Sequence, residues 1–248
     1  MSAGIELSLS IVSHGQGALI ANLLEDLAQP HWAGGRSFEV ILTLNIAEDE
    51  GWLRPDFPFP ISVLRNAAPK GFGSNHNAAF AEARASLFAV VNPDIRFADF
   101  QIADLIDALA TRDAGVAGPL VVASDGEVQD SARRFPTFGR LATRKLLRQR
   151  QPDYRPGRTI QSVDWLAGMF MLFPSGVYRE IGGFDEGYFM YLEDVEVCRR
   201  LRSRGRQVLW VGSTAVIHDA SRASRRSLRH LRWHISSLIR YFFARPKQ

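Results

Sequence analysis

The stretch Leu87-Phe88-Ala89-Val90-Val91-Asn92-Pro93-Asp94 decides the fold. Five apolar residues without polar alternation read as a strand buried on both faces, the kind found in a parallel sheet covered by helices. Pro93 cannot donate to a strand ladder, so the strand stops there and Asp94 stands at its carboxyl end. Upstream, Ala-rich Ser74–Ser86 reads as a helix; downstream, 101–111 reads as another, followed by a strand at Val116–Val122. Further upstream, Leu7–Val12 reads as a strand and Ser13-His14-Gly15 as a turn. A helix from Gly17 to Ala28 follows, then strands Phe38–Leu44 and Ile61–Leu64. The alternation predicts an α/β fold with a mainly parallel central sheet flanked by helices. Ligands of such sheets gather outside the carboxyl ends of the strands. That rule puts Ser13-His14, Leu44-Asn45 and Asn92-Pro93-Asp94 on one rim.

The second half is less regular. Ser124–Gly157 carries Arg133, Arg134, Arg140, Arg144, Lys145, Arg148 and Arg150 and reads as loops with a short helix. Trp165–Phe173 reads as a strand, Asp194–Arg204 as a helix, Gln207–Val211 as a strand, and Arg222–Phe243 as a long final helix.

A chain of 248 residues, 46% hydrophobic and 23% charged, has the length and composition for an ordered core. Cys198 is its only cysteine, which excludes an intrachain disulfide and favours a reducing compartment. Met1–Glu6 has no basic run, Leu7–Val12 is too short for a signal peptide, and no window reaches membrane-span length. A soluble or peripheral protein is expected. The net charge of +4 is uneven. From Ala220 to Gln248 there are eight Arg or Lys and no Asp or Glu, leaving 22 basic against 26 acidic residues elsewhere. The excess therefore points to a surface touched by the tail. Nucleic acid is not expected, because the tail has one Lys, bulky apolar interruptions and no recognised binding motif.

Several residues admit two readings. Asn92-Pro93-Asp94 is an Asx-Pro turn, or it holds out a carboxylate for a hard cation bridging phosphates. His218 is a structural histidine or a second contact for that ion. Glu193, Asp194 and Glu196 complement the dipole of the helix they open, or one of them takes a proton from a hydroxyl. Gly71-Phe72-Gly73 is a tight turn, or it offers backbone N–H groups to a phosphate. Arg133 or Arg134 clamps a diphosphate, or belongs to a solvated loop. In the tail, Leu228, Leu231, Ile235, Leu238 and Phe242 form one helical stripe beside Arg225, Arg229, Arg232 and Arg240. That stripe packs on the rest of the protein or lies in an anionic membrane surface.

Taken in order, the motifs resemble a known family. They are Ser13-His14-Gly15; Gly71-Phe72-Gly73 with Asn77; Asn92-Pro93-Asp94; Trp165-Leu166-Ala167-Gly168; Gly182-Gly183-Phe184-Asp185-Glu186; Tyr191-Leu192-Glu193-Asp194; His218; and Arg232-Trp233-His234. The pattern is similar to family 2 glycosyltransferases, and among them to bacterial rhamnosyltransferases of lipopolysaccharide O-antigen assembly, over about residues 7–243. The resemblance implies a GT-A fold and a metal-dependent, inverting transfer at the cytoplasmic face of the membrane. Residues 1–219 would be the catalytic domain, with 1–122 binding nucleotide sugar and 123–219 the acceptor, and 220–248 a basic amphipathic helix. Asp94 and His218 would hold Mg²⁺ or Mn²⁺. Ser13, His14, Asn45, Gly71, Phe72, Asn77, Asn92 and Asp94 would line the donor. Asp194 would be the general base, and Trp165, Gly168, Asp185 and Glu193 would shape the acceptor and sugar pocket. The implied donor is dTDP-L-rhamnose, and the implied acceptor a polyprenyl-diphosphate-linked sugar reached through a membrane surface touched by 222–247. Rival readings are a UDP-hexose enzyme and a non-catalytic sugar-nucleotide binder. Two positions depart from the family pattern: strand one ends in Ser13-His14, and Leu44 stands beside Asn45 where an Asp usually contacts the nucleobase.

Overall fold

The computed structural model describes residues 4–140, 152–218 and 228–244. Elements are numbered in chain order. Among the described residues the core is one nine-stranded sheet. Strands β1 (Leu7–Ser13), β2 (Phe38–Leu44), β3 (Ile61–Arg65) and β4 (Leu87–Val91) are parallel and lie in the order β3-β2-β1-β4. Beyond β4 comes β10 (Phe170–Pro174), antiparallel to it. Then come β6 (Ala114–Val122) and β11 (Gln207–His218), parallel to each other, and the short β5 (Ile95–Arg96). A further strand, β8 (Ile160–Val163), pairs with β11, while β7 (Ala132–Arg133) and β9 (Trp165–Leu166) form a separate ribbon. Strands from both halves of the chain thus interleave in one sheet.

The helices are α1 (Gly17–Leu27), α2 (Phe72–Glu82), α3 (Ile102–Leu109), α4 (Ser175–Glu180), α5 (Glu193–Ser203) and α6 (Leu228–Phe243). None among the described residues is long and apolar enough to cross a membrane. One buried cluster joins α1 and α3 to one face of the sheet through Leu23, Leu24, Trp32, Phe100 and Phe170. The other lies beneath α4 and α5 and contains Phe88, Phe173, Tyr178, Phe184 and Leu201.

Three expectations are corrected. The run Trp165–Phe173 is not one strand: Ala167–Met169 breaks it, because β9 leaves the main sheet to pair with β7 and the Ala167 N–H is taken by the Ser131 carbonyl at 2.8 Å. Helix α2 begins two residues before Ser74 and stops four before Ser86. Past its end, Ala83 N–H still bonds the Phe80 carbonyl, and side chains capture the two amides that follow: Arg84 N–H goes to Glu39 Oε1 at 3.0 Å and Ala85 N–H to Ser8 Oγ at 3.3 Å. Strand β11 runs through 212–213 as one strand with an irregularity between Val211 and Ala215. The expected start of the final helix at Arg222 lies outside the described residues, as do Arg144, Lys145, Arg148 and Arg150.

Candidate active site

Asp94 lies in the turn between β4 and β5, immediately before Ile95, and His218 ends β11, which pairs with β5 so that His218 opposes Ile95. The two side chains meet, with His218 Nε2 3.3 Å from Asp94 Oδ2. Gln129 fixes the imidazole. Its amide nitrogen donates to the His218 carbonyl, so its Oε1 must accept from His218 Nδ1–H, at 2.9 Å. With the proton on Nδ1, a neutral ring turns the Nε2 lone pair toward a carboxylate oxygen. Two acceptors facing one another call for a cation or proton between them. Asp94 Oδ1 is also buried and has no hydrogen-bond partner among the described residues. An orphaned carboxylate oxygen beside an oriented imidazole fits a divalent ion that draws its other ligands from phosphate and water. No cluster of three or more metal-ligating side chains occurs among the described residues, so this would be a two-ligand site. Sequence gave no signal for Gln129.

The turn that breaks β9 from β10 links this pair to Asp194. Asn92 N–H donates to the Met169 carbonyl at 2.9 Å, and one residue earlier Gly168 N–H donates to Asp194 Oδ2 at 3.0 Å. Asp194 Oδ1 accepts from Val195 N–H at 2.8 Å. A Cβ on Gly168 would come within 3.2 Å of the Phe72 ring and 3.7 Å of Asp194 Cβ, so the close approach favours glycine. Burial raises the Asp194 carboxyl above the ordinary range, against the lowering effect of these two N–H groups and of the Arg133 charge. Glu193 is pushed up further, by burial and by the neighbouring Asp194 charge, and its Oε2 has no partner among the described residues. Such a pair pushes one carboxyl to stay neutral while the other ionises. Glu196 is not a candidate base: both its oxygens are held by Arg200, at 2.8 and 2.6 Å, and Arg200 also donates to the Ile181 and Gly183 carbonyls.

The approach to these acids is strained. Tyr191 and Leu192 have φ of 74° and 67°, consecutive left-handed residues with large side chains. Each such residue costs roughly 1–2 kcal/mol, so the surroundings must hold the turn. Strain of this kind concentrates at functional sites.

The remaining candidates divide by what their side chains touch. His14 is exposed at the rim. Ser13 Oγ accepts from Gln16 N–H at 3.2 Å. The Asn45 amide is spent inside the fold: Oδ1 accepts from Lys70 N–H and Asn66, and Nδ2 donates to the Lys70 carbonyl and His14 Nδ1. Asn77 is likewise spent, on Tyr178, Phe184 and Glu186, which gives it a structural task instead of a donor contact. The expectation that Gly71-Phe72-Gly73 offers its amides to a phosphate is corrected at Phe72, whose N–H donates to the Phe189 carbonyl at 2.9 Å. Trp165 is buried beside Arg133, whose guanidinium lies 5.4 Å from its ring centre. Arg134 instead lies over Tyr154. Asp185, expected in the acceptor and sugar pocket, has its carboxylate engaged by Arg240 of α6 through bonds of 2.8–3.0 Å.

Helix α6 shows two faces. Ser237 and Tyr241 are buried against the rest of the protein, and Arg199 lies 4.4 Å from the Tyr241 ring centre. Leu228, Leu231, Ile235, Ile239 and Phe243 are exposed by 50–80%, with Phe138 (63%) close to the same end through Phe242. Tail packing and an outward stripe therefore coexist, on opposite sides.

The fold is that of the GT-A glycosyltransferases. A Pyrobaculum calidifontis mannosyltransferase, solved with GDP-Man and Mn²⁺, superposes at a TM-score of 0.64 with 14% identity, covering 96% of this chain and 65% of its own. GalNAc-T7, solved with UDP, GalNAc and Mn²⁺, gives 0.64 and 14%, covering 88% and 44%. The chain belongs to the glycosyltransferase like family 2, whose model matches residues 7–236. The rhamnosyltransferase WbbL of Escherichia coli K12 is 28% identical over 93% of this chain and 90% of its own length. The N-acetylglucosaminyl-diphospho-decaprenol L-rhamnosyltransferase of Mycobacterium tuberculosis H37Rv is 35% identical over 60% of this chain. The match spans about half of that protein, 52%.

Proposed function

We propose that this glycosyltransferase moves L-rhamnose from dTDP-L-rhamnose to a polyprenyl-diphosphate-linked saccharide, inverting the anomeric centre, at the cytoplasmic face of the membrane. The donor sugar and acceptor are argued from the rhamnosyltransferase relatives. The observation that carries the chemistry is Asp194, gripped by two backbone amides one residue along a turn from the Asp94 and His218 rim. Two N–H bonds orient its carboxylate and leave lone pairs for an acceptor hydroxyl. A carboxyl raised by burial is a stronger base than a surface aspartate, which suits removal of the hydroxyl proton as the new bond forms. Asp94 and His218, set by Gln129, would hold Mg²⁺ or Mn²⁺. A bound divalent ion would neutralise charge on the departing nucleoside diphosphate. Arg133 reaches the same region past Trp165 and is the better placed of the two arginines to clamp the diphosphate.

The donor assignment is tested by ligand linkage. Saturating dTDP-rhamnose with Mn²⁺ should raise the melting temperature more than UDP-glucose or UDP-N-acetylglucosamine does. A larger shift with a UDP-sugar would replace the donor with a UDP-hexose and leave the base assignment standing.

The membrane partner is supported by the exposed stripe of α6, flanked by Arg229 and Arg232 in a tail without acids. An apolar face set into the headgroup boundary, with arginines drawn to anionic lipid, describes an interfacial helix. Leu231→Glu with Ile235→Glu alters only the outward face and should abolish co-sedimentation with phosphatidylglycerol vesicles while the melting temperature holds. Salt should weaken binding by the unaltered protein. Undiminished sedimentation of the double variant would exclude this surface.

A further inference from the structure

The segment Phe189–Leu192, which leads into the catalytic acids, is gripped from two sides. On the donor side, Phe72 N–H donates to the Phe189 carbonyl, and Gly71 lets the two backbones approach: a Cβ there would fall 2.8 Å from that oxygen. On the other side stands α6. Ser237 Oγ donates to the Met190 carbonyl at 2.8 Å. The Trp233 ring stacks on Phe189 at 4.8 Å, and the His234 ring stacks on Tyr191 at 4.0 Å and 15°. The Tyr191 hydroxyl and His230 Nδ1 are 2.7 Å apart. The next backbone units are the two left-handed residues, and then Asp194 on Gly168.

We infer that the inner face of α6 is a positioning clasp for the base: His230, Trp233, His234 and Ser237 hold the Tyr191–Leu192 turn in its left-handed form and so aim Asp194. Released from α6, a tyrosine and a leucine favour right-handed or extended backbone. Either change rotates the first turn of α5 and draws Asp194 off the Gly168 amide. None of these four residues needs to touch substrate. The inference rests on Asp194 being the base, and it gives a docked tail helix a part in turnover that is separate from any attachment to lipid.

The test is a substitution and its rescue, in the full-length protein. His234→Ala removes the stacked ring and should lower kcat about tenfold, the loss expected when a few kT of orientation is given up. The KM for donor and the thermal shift it produces should stay unchanged. Adding Leu192→Gly, which makes the left-handed conformation free of steric cost, should restore much of the lost kcat, whereas adding Leu192→Ala should not. A merely structural role for His234 would predict no rescue by glycine. Should His234→Ala unfold at the assay temperature, Tyr191→Phe carries the test, since it keeps the ring, deletes the hydroxyl that meets His230, and should reduce kcat without changing KM. Unchanged kcat in a folded His234→Ala protein, or equal recovery with Ala and Gly at 192, overturns the clasp. Neither result touches the base assignment, which stands or falls on Asp194→Asn.

Discussion

Asp194→Asn should lower transfer by roughly 10²–10⁴-fold, the usual span for losing a general base, while dTDP-rhamnose still raises the melting temperature. Asparagine keeps the size of the side chain and one acceptor oxygen for Gly168 or Val195. What it lacks is the second oxygen and any affinity for a proton. Because burial raises the Asp194 carboxyl, the acid limb of kcat/KM should lie above the ordinary carboxylate range. The sign follows from the role: the base works ionised, so a raised pKa moves the loss of activity to higher pH. Glu193→Gln is the informative neighbour. Burial and the Asp194 charge favour a neutral Glu193, so a neutral amide should imitate it and leave most activity. Full transfer by Asp194→Asn would remove it from the mechanism, whatever the fate of the tail variants.

The second large effect concerns Asp94. Asp94→Ala should depress transfer by about 10²–10³-fold, the scale of losing one group that stabilises developing charge. A direct readout avoids activity altogether. In the unaltered protein, Mn²⁺ should increase the thermal shift given by dTDP, because Asp94 and His218 would hold an ion that offsets the diphosphate charge. In Asp94→Ala that increment should vanish, while the metal-free shift survives. Undiminished turnover in excess chelator would dismiss both residues as ligands together. Gln129→Leu should weaken the metal increment without abolishing it, since it frees the ring and the carbonyl of His218 that Gln129 holds but leaves both ligands in place.

Much of the frame was legible because it is written locally. The apolar run before Asn92-Pro93-Asp94 has one sensible conformation, and Pro93 marks where it stops. The first four strands and α1 follow from periodicity alone. Strand β10 was legible as a strand but not as antiparallel, since an apolar run looks alike in either direction and the break at Ala167–Met169 leaves only Gly168 as a clue. The meeting of Asp94 with His218 depends on β5 pairing with the end of β11, a long-range event that sequence spacing does not encode. Asn45, Asn77 and Asp185 were read as ligand contacts because they sit in motifs. The structure engages their side chains with other parts of the protein, Asp185 with Arg240 of α6 and Asn77 with Tyr178 and Phe184, and only a hydrogen-bond partner reveals that. The tail is a helix at Leu228–Phe243, as expected, but its docking side follows from Tyr191, Asp185 and Met190 accepting polar and aromatic partners, which leaves Leu228, Leu231, Ile235, Ile239 and Phe243 outward while Leu238 and Phe242 of the expected stripe are half-buried.

The position of β10 has a consequence for how the chain reaches this structure. It pairs with β4 on one edge and β6 on the other, so both edges stay open until residues 170–174 leave the ribosome. Strand β6 also waits for β11, its parallel neighbour from still later in the chain. A nascent chain ending near residue 165 therefore carries unpaired apolar strand edges, the usual template for aggregation. Closing the sheet depends on contacts between residues far apart in sequence, which are slow to form. Partial products of synthesis, more than the finished enzyme, are what a chaperone would need to shield.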